Sequence, residues 1–174
     1  MNASHDNYYV PTVKLLRQTR RSLLGAGKKP GGFFIEAATY QAFASGPVSG
    51  NDHAEYYVSA LEEVSKIIDS YVSYGIGVND PTLSGHTISI RATDDELDAA
   101  KTRFADAAVI AREALDEEED EGKAALVFRK LLGKNGDNET VFPMPPGFNE
   151  DGSKRASAIS AGARTVPAGE RTFG

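Results

Sequence analysis

The chain contains no cysteine and no long apolar run, and both absences exclude whole classes of protein. Without cysteine it has neither a disulfide framework nor thiol chemistry. No apolar run approaches the ~18–20 residues that span a bilayer. The first residues, MNASHDNYY, lack the basic-then-apolar order of a signal peptide. We therefore expect a cytoplasmic protein that has no contact with the membrane.

Patterns for metal binding and for general nucleic-acid binding are also absent. The three histidines, His5, His53 and His86, are scattered and do not have metal-ligand spacing. The formal net charge of −6 disfavours a general affinity for duplex nucleic acid. A chain of 174 residues is long enough for one domain with a buried core and a terminal extension.

Positive charge is concentrated in one short segment of this acidic chain. Between Pro11 and Gly31 there are six basic residues and no acidic ones, so the rest of the chain carries −12. Lys14, Arg17 and Arg21 fall on one face of a predicted helix. Such a face suits phosphate because guanidinium groups match phosphate oxygens in geometry and charge. The alternative interpretation is a solvated helix face that keeps the protein soluble.

Apolar periodicity predicts an all-α fold, a compact bundle of about five helices with a flexible C-terminal tail. Glycines end several segments, and two Asp/Thr–Glu pairs have the spacing of capping boxes. The predicted helices cover about residues 12–24, 33–44, 53–74, 94–115 and 123–132. Residues 1–10 are expected to be flexible, 11–148 to form the helical domain, and the aperiodic 149–174 to form the flexible tail.

Several segments resemble a known family. The run VKLLRQTRR…KKPGGFFIEAATYQAF, followed by ALVFRKLLG and VFPMPPGF, resembles the C-terminal helical domain of bacterial CD-NTases. These are nucleotidyltransferases similar to cyclic GMP-AMP synthase and oligoadenylate synthase, and the resemblance covers about residues 10–148. It implies the nucleotide-binding half of an enzyme that makes cyclic or linear oligonucleotide second messengers from nucleoside triphosphates in antiphage defence.

The resemblance also implies roles for individual basic residues. Arg17 matches the position of a phosphate-contacting basic residue, and Lys14, one turn earlier, is a second candidate. Arg21 shares their helix face and completes the predicted phosphate-binding set. The implied ligands are the nucleoside triphosphate substrates.

A base-binding site is implied at the start of the second predicted helix. Gly32 and Phe33 match a pair at which an aromatic ring stacks on a nucleotide base. Glu36 matches a recurrent acidic residue with a structural role. From the residues alone, Phe33 belongs to a helix that is apolar nearly all round, so a role in the core is the alternative.

The catalytic half of such an enzyme has no counterpart in the sequence. Gly152-Ser153 is the only Gly-Ser dipeptide, and no acidic strand follows it. Asp94, Asp95 and Glu96 lie at a predicted helix start, where consecutive carboxylates point in different directions. We therefore expect no catalytic residue, metal site or cofactor in this chain, and a truncated, inactive polypeptide when it is alone.

The missing chemistry has to come from elsewhere in this interpretation. The resemblance implies that Mg²⁺ is held by a catalytic half, supplied in cis or in trans. The alternative is a stand-alone helical adaptor that binds nucleotides or proteins without catalysis.

The last residue is a further candidate. In some bacterial members of the family a C-terminal glycine is joined to other molecules by a ubiquitin-transfer-like enzyme, which implies conjugation at Gly174. Chance is the alternative, because 17 of the 174 residues are glycine.

Overall fold

A computed structural model describes residues 1–25, 27–117 and 120–156, and this part of the chain is helical. It contains five α-helices: α1 (Tyr9–Leu24), α2 (Gly32–Ser45), α3 (His53–Tyr74), α4 (Asp94–Asp116) and α5 (Glu121–Leu132). A short 3₁₀-helix, Ala3–His5, precedes them, and the described residues form no β-strand. The predicted all-α fold is confirmed. Within the same residues, no helix combines the length and apolar character needed to cross a bilayer.

The second helix lies in the core of the bundle, as its nearly uniform apolar composition predicts. It packs against both α1 and α3, and α3 in turn makes its most extensive interface with α4. The buried side chains of α2 are Phe34, Ile35, Ala37, Ala38, Thr39, Ala42 and Phe43. Because α1 is fixed on α2 in this way, the charged outer face of α1 lies next to the start of α2.

Two helix starts follow the capping patterns in the sequence. At α4, Thr93 accepts a hydrogen bond from the backbone N–H of Glu96, whose carboxylate accepts one from the N–H of Thr93. At α3, Asp52 caps the N–H groups of the first turn, including that of Glu55. The Glu55 carboxylate accepts from the N–H of Asn51, at 2.6 Å, instead of from that of Asp52. Both predicted starts are correct, and at α3 the reciprocal bond is displaced by one residue.

One buried hydrogen bond joins α1 to α3. The hydroxyls of Thr19 and Tyr57 lie 2.8 Å apart, and both residues are buried. Thr19 has a single hydroxyl proton, which it donates to the carbonyl oxygen of Leu15 at 2.9 Å. The Tyr57 hydroxyl is therefore the donor in the pair. Burial raises the pKa of Tyr57, which keeps that proton in place.

Two tyrosines within the first ten residues pack on the bundle, although the sequence predicts a flexible segment over 1–10. Tyr8 stacks on Tyr56 of α3 with ring centroids 4.5 Å apart, and Tyr9 meets the edge of Phe43 of α2 at 5.1 Å. As a result α1 begins at Tyr9, earlier than the predicted start at residue 12. Aromatic contacts with residues far away in the sequence explain the difference.

Part of the segment predicted to be a tail is also packed. Phe148 is buried, and Gly152, beyond it in the chain, lies against the start of α5. The carbonyl of Gly152 lies so close to Gly122 that a Cβ at residue 122 has no room. Glu150 pairs with Arg129 of α5 at 2.6 Å. Gly152 and Glu150 thus contact α5, and the predicted conjugation site Gly174 lies outside the described residues.

Candidate functional site

The basic residues of α1 line an open cleft of about 460 Å³ beside the segment that leads into α2. The lining residues are Lys14, Arg17, Gln18, Arg20, Arg21, Gly27 and Gly32. Lys14, Arg17 and Arg21 recur at intervals of three and four residues, so they share one exposed face of α1. The structure thus places the three predicted phosphate-binding side chains and Gly32 in one cleft, whose volume is in the range of about 300–1,000 Å³ that is usual for small-molecule sites.

Arg17 lies against the first residue of α2. A Cβ at Gly32 would be 3.4 Å from Nε of Arg17. The N-cap residue, Gly31, makes no side-chain capping bond, and the first turn of α2 contains no acidic residue. The first N–H groups of a helix have no intrahelical acceptor and carry partial positive charge. The arrangement therefore offers an anion both a guanidinium group and free backbone donors.

A carboxylate partner of Arg17 lies at the edge of the cleft. Nη1 of Arg17 is 3.4 Å from Oε2 of Glu36, and the two side chains are 55% and 42% exposed. An exposed pair of this kind contributes about 0–1 kcal/mol, so a phosphate can replace the carboxylate at low cost. Burial first, and then the negative charge of Glu36, raises the pKa of Tyr9.

Phe33 follows Gly32 and presents its ring to solvent. The residue is 52% exposed, whereas Phe34 is 2% exposed. The core interpretation of Phe33 is therefore wrong, because the apolar interior of α2 begins one residue later. An exposed aromatic ring beside a cationic cleft is suited to stacking on a nucleotide base. Base binding by Phe33 and Gly32 remains a prediction.

Sequence reasoning missed Gln18, a lining residue that connects the cleft to α5. Its side-chain amide donates to the carbonyls of Leu132, at 2.6 Å, and Lys134, at 2.9 Å. These carbonyls end α5 and begin the following loop, so Gln18 both caps α5 and fixes it against α1. A glutamine among basic residues gives no sequence signal for such a long-range contact.

Sequence reasoning also gave Arg20 no functional role. Its residue surface is 8% exposed, and it is held by the backbone carbonyls of Lys28 and Pro30. Burial lowers the pKa of its guanidinium group. The available signal was its place on the apolar stripe of α1, next to Thr19, where a basic residue is unusual.

A second cavity, of about 760 Å³, lies between the start of α3 and the end of α4 and contains none of the predicted site residues. Among its described lining residues the basic one is Arg112, which Glu62 holds through two hydrogen bonds of 2.8 Å. That pairing lowers the pKa of Glu62. Glu55 and Asp116 also line this cavity. Because the Arg112 guanidinium is already paired and two carboxylates line the same cavity, this cavity suits an anion less well than the cleft on α1.

The described part of the chain is all-α, and its basic cleft is formed by α1 and the N-terminus of α2. The chain is 27% identical over 166 residues to a cyclic AMP-AMP-AMP synthase from Acinetobacter sp. (strain ATCC 27244 / 9458). The alignment covers 93% of this chain and 47% of that protein, so the chain spans about half the length of this relative. No protein-family model matches the chain. The similarity supports a distant relationship to this CD-NTase.

Proposed function

We propose that this chain is the helical, nucleotide-binding half of a CD-NTase-like nucleotidyltransferase that makes cyclic or linear oligonucleotide second messengers. The observation that carries the proposal is the position of Arg17 against the uncapped N-terminus of α2. The similarity to a cyclic AMP-AMP-AMP synthase along 93% of the chain is consistent with it. In this proposal the catalytic half, in cis or in trans, accounts for the remaining length of the relative.

Each part of the cleft has a chemical role in the proposal. Arg17 binds a phosphate oxygen through its planar fork, while Lys14 and Arg21 add positive charge along the same helix face. The first N–H groups of α2 donate to the same phosphate chain. Gly32 lets the phosphate approach the helix closely because it has no side chain, and the exposed ring of Phe33 stacks on the base.

The magnesium ions of nucleotidyl transfer are assigned to the catalytic half. In residues 1–25, 27–117 and 120–156 no group of three or more histidine or acidic side chains is arranged to hold a metal ion. At the start of α4, Glu96 closes the capping box with Thr93. The contribution proposed for this chain is therefore substrate binding and orientation.

Calorimetric titration of the purified chain with ATP and with GTP, each with magnesium, tests the proposal. We expect Arg17→Ala to weaken binding about ten-fold or more, because a hydrogen bond to a charged group contributes about 1.5–3 kcal/mol. Phe33→Ala should remove stacking worth about 1–3 kcal/mol per base. Inorganic tripolyphosphate, which has no base, should bind equally well to Phe33→Ala and to the unaltered chain.

Two matched variants control for surface charge and surface aromatic area. Lys66→Ala removes one positive charge from α3, and Tyr74→Ala removes an exposed ring; neither residue lines the cleft. Both should bind nucleotide like the unaltered chain. An absence of nucleotide binding, or equal losses in Arg17→Ala and Lys66→Ala, would mean that the basic face of α1 is a solvated surface.

A further inference from the structure

Arg20 is a buried cation held by backbone carbonyls. Its residue surface is 8% exposed, and among the described residues no aspartate or glutamate forms an ion pair with it. Instead Nε donates to the carbonyl oxygen of Pro30 at 2.8 Å, and Nη2 donates to that of Lys28. Buried charges are normally paired, because removing a charge from water is costly. Two carbonyl dipoles offset only part of that cost.

The two carbonyls belong to the segment that sets the position of α2. Pro30 is followed by Gly31, the N-cap of α2, and by Gly32, its first residue. Arg20 lies one turn beyond Arg17 on α1, so neighbouring guanidinium groups of one helix contact consecutive parts of this segment. The guanidinium group of Arg20 holds the residues before Gly31, and Arg17 lies against Gly32, the residue after it.

We propose that Arg20 is a positioning residue of the phosphate-binding cleft: it holds the carbonyls of Lys28 and Pro30 so that the N-terminus of α2 faces Arg17. This inference rests on the proposed function, because it concerns the same cleft. Arg20 also lines that cleft, so its charge is present where the phosphate binds. A lysine in its place would retain the charge but lose the planar fork that reaches two carbonyls.

Arg20→Lys and Arg17→Ala, compared by hydrogen exchange and by titration with Mg-ATP and tripolyphosphate, test the inference. In Arg20→Lys we expect faster amide exchange confined to residues 35–38, whose N–H groups are the first in α2 with a backbone acceptor, and about ten-fold weaker binding of both ligands. In Arg17→Ala we expect the same loss of binding with unchanged exchange over residues 35–38. The helix content of both variants should equal that of the unaltered chain.

The outcomes separate the inference from the proposed function. If Arg17→Ala loses binding but Arg20→Lys keeps both normal exchange and normal affinity, the positioning role of Arg20 is wrong and the function stands. Faster exchange throughout all five helices of Arg20→Lys would show a general structural role and also overturn it. If the unaltered chain binds neither ligand, both proposals fail. If Arg20→Lys does not fold, Arg20→Gln tests the positioning role by hydrogen exchange over residues 35–38 alone, because it also removes a charge from the cleft and so weakens binding in either case.

Discussion

Replacing Gly32 with alanine should change stability and ligand affinity in opposite directions. Gly32 lies inside α2 at its first position, and its backbone does not require a positive φ. Alanine there removes conformational freedom from the unfolded chain and should stabilise the fold by about 0.5 kcal/mol. The new methyl group would lie 3.4 Å from Nε and 3.6 Å from Nη2 of Arg17, which is ordinary contact and adds no strain.

The same methyl group occupies the space through which a phosphate would reach both Arg17 and the first N–H groups of α2. The loss of one charge-assisted hydrogen bond, about 1.5–3 kcal/mol, corresponds to about ten-fold weaker binding or more. Urea unfolding measures the first effect, and titration with tripolyphosphate measures the second.

Gly31→Ala is the matched control, because a Cβ at residue 31 meets nothing within 4 Å. Alanine is a poorer N-cap than glycine, so this variant should be slightly less stable but should bind normally. If Gly32→Ala binds tripolyphosphate as tightly as the unaltered chain, phosphate does not approach α2 between Arg17 and Gly32, and the proposed geometry is wrong.

Two further predictions concern the buried pair of Thr19 and Tyr57. Thr19→Val leaves the Tyr57 hydroxyl buried without an acceptor and should lower the free energy of unfolding by about 1–3 kcal/mol. The double variant Thr19→Val/Tyr57→Phe should lose less stability than the sum of the two single variants, and urea unfolding of all four proteins measures this. Because burial raises the pKa of Tyr57, its contribution to stability is complete below about pH 10 and is lost as the pH rises further. Tyr57→Phe should therefore lose less stability above about pH 10 than the unaltered chain, and equal losses would contradict this assignment.

The sequence was most informative where a local chemical rule acts alone. Thr93 and Glu96 specify the start of α4 through bonds between residues three apart, and glycine ends α1, α3 and α5 at the predicted places. The grouping of Lys14, Arg17 and Arg21 follows from helix geometry alone. These features depend on neighbours within one turn, which a single sequence displays in full.

The differences between prediction and structure arise from contacts between distant residues. Pro11 is readily taken as a boundary, yet it lies in the first turn of α1, where its missing N–H is not needed. Tyr8 and Tyr9 extend the helix back through it by packing on α2 and α3. Phe33 and its buried neighbour Phe34 are the same residue type, and only their positions at the start of α2 differ. Nothing local indicates that Arg20 finds its acceptors in the segment after α1.

The cleft on α1 is formed almost entirely by one uninterrupted stretch, residues 14–32. Contacts between residues this close in the sequence carry a small loop-closure entropy, so the cleft can take shape early in folding, before α3 and α4 come together. Only the support of Gln18 on the end of α5 has to wait for the whole chain.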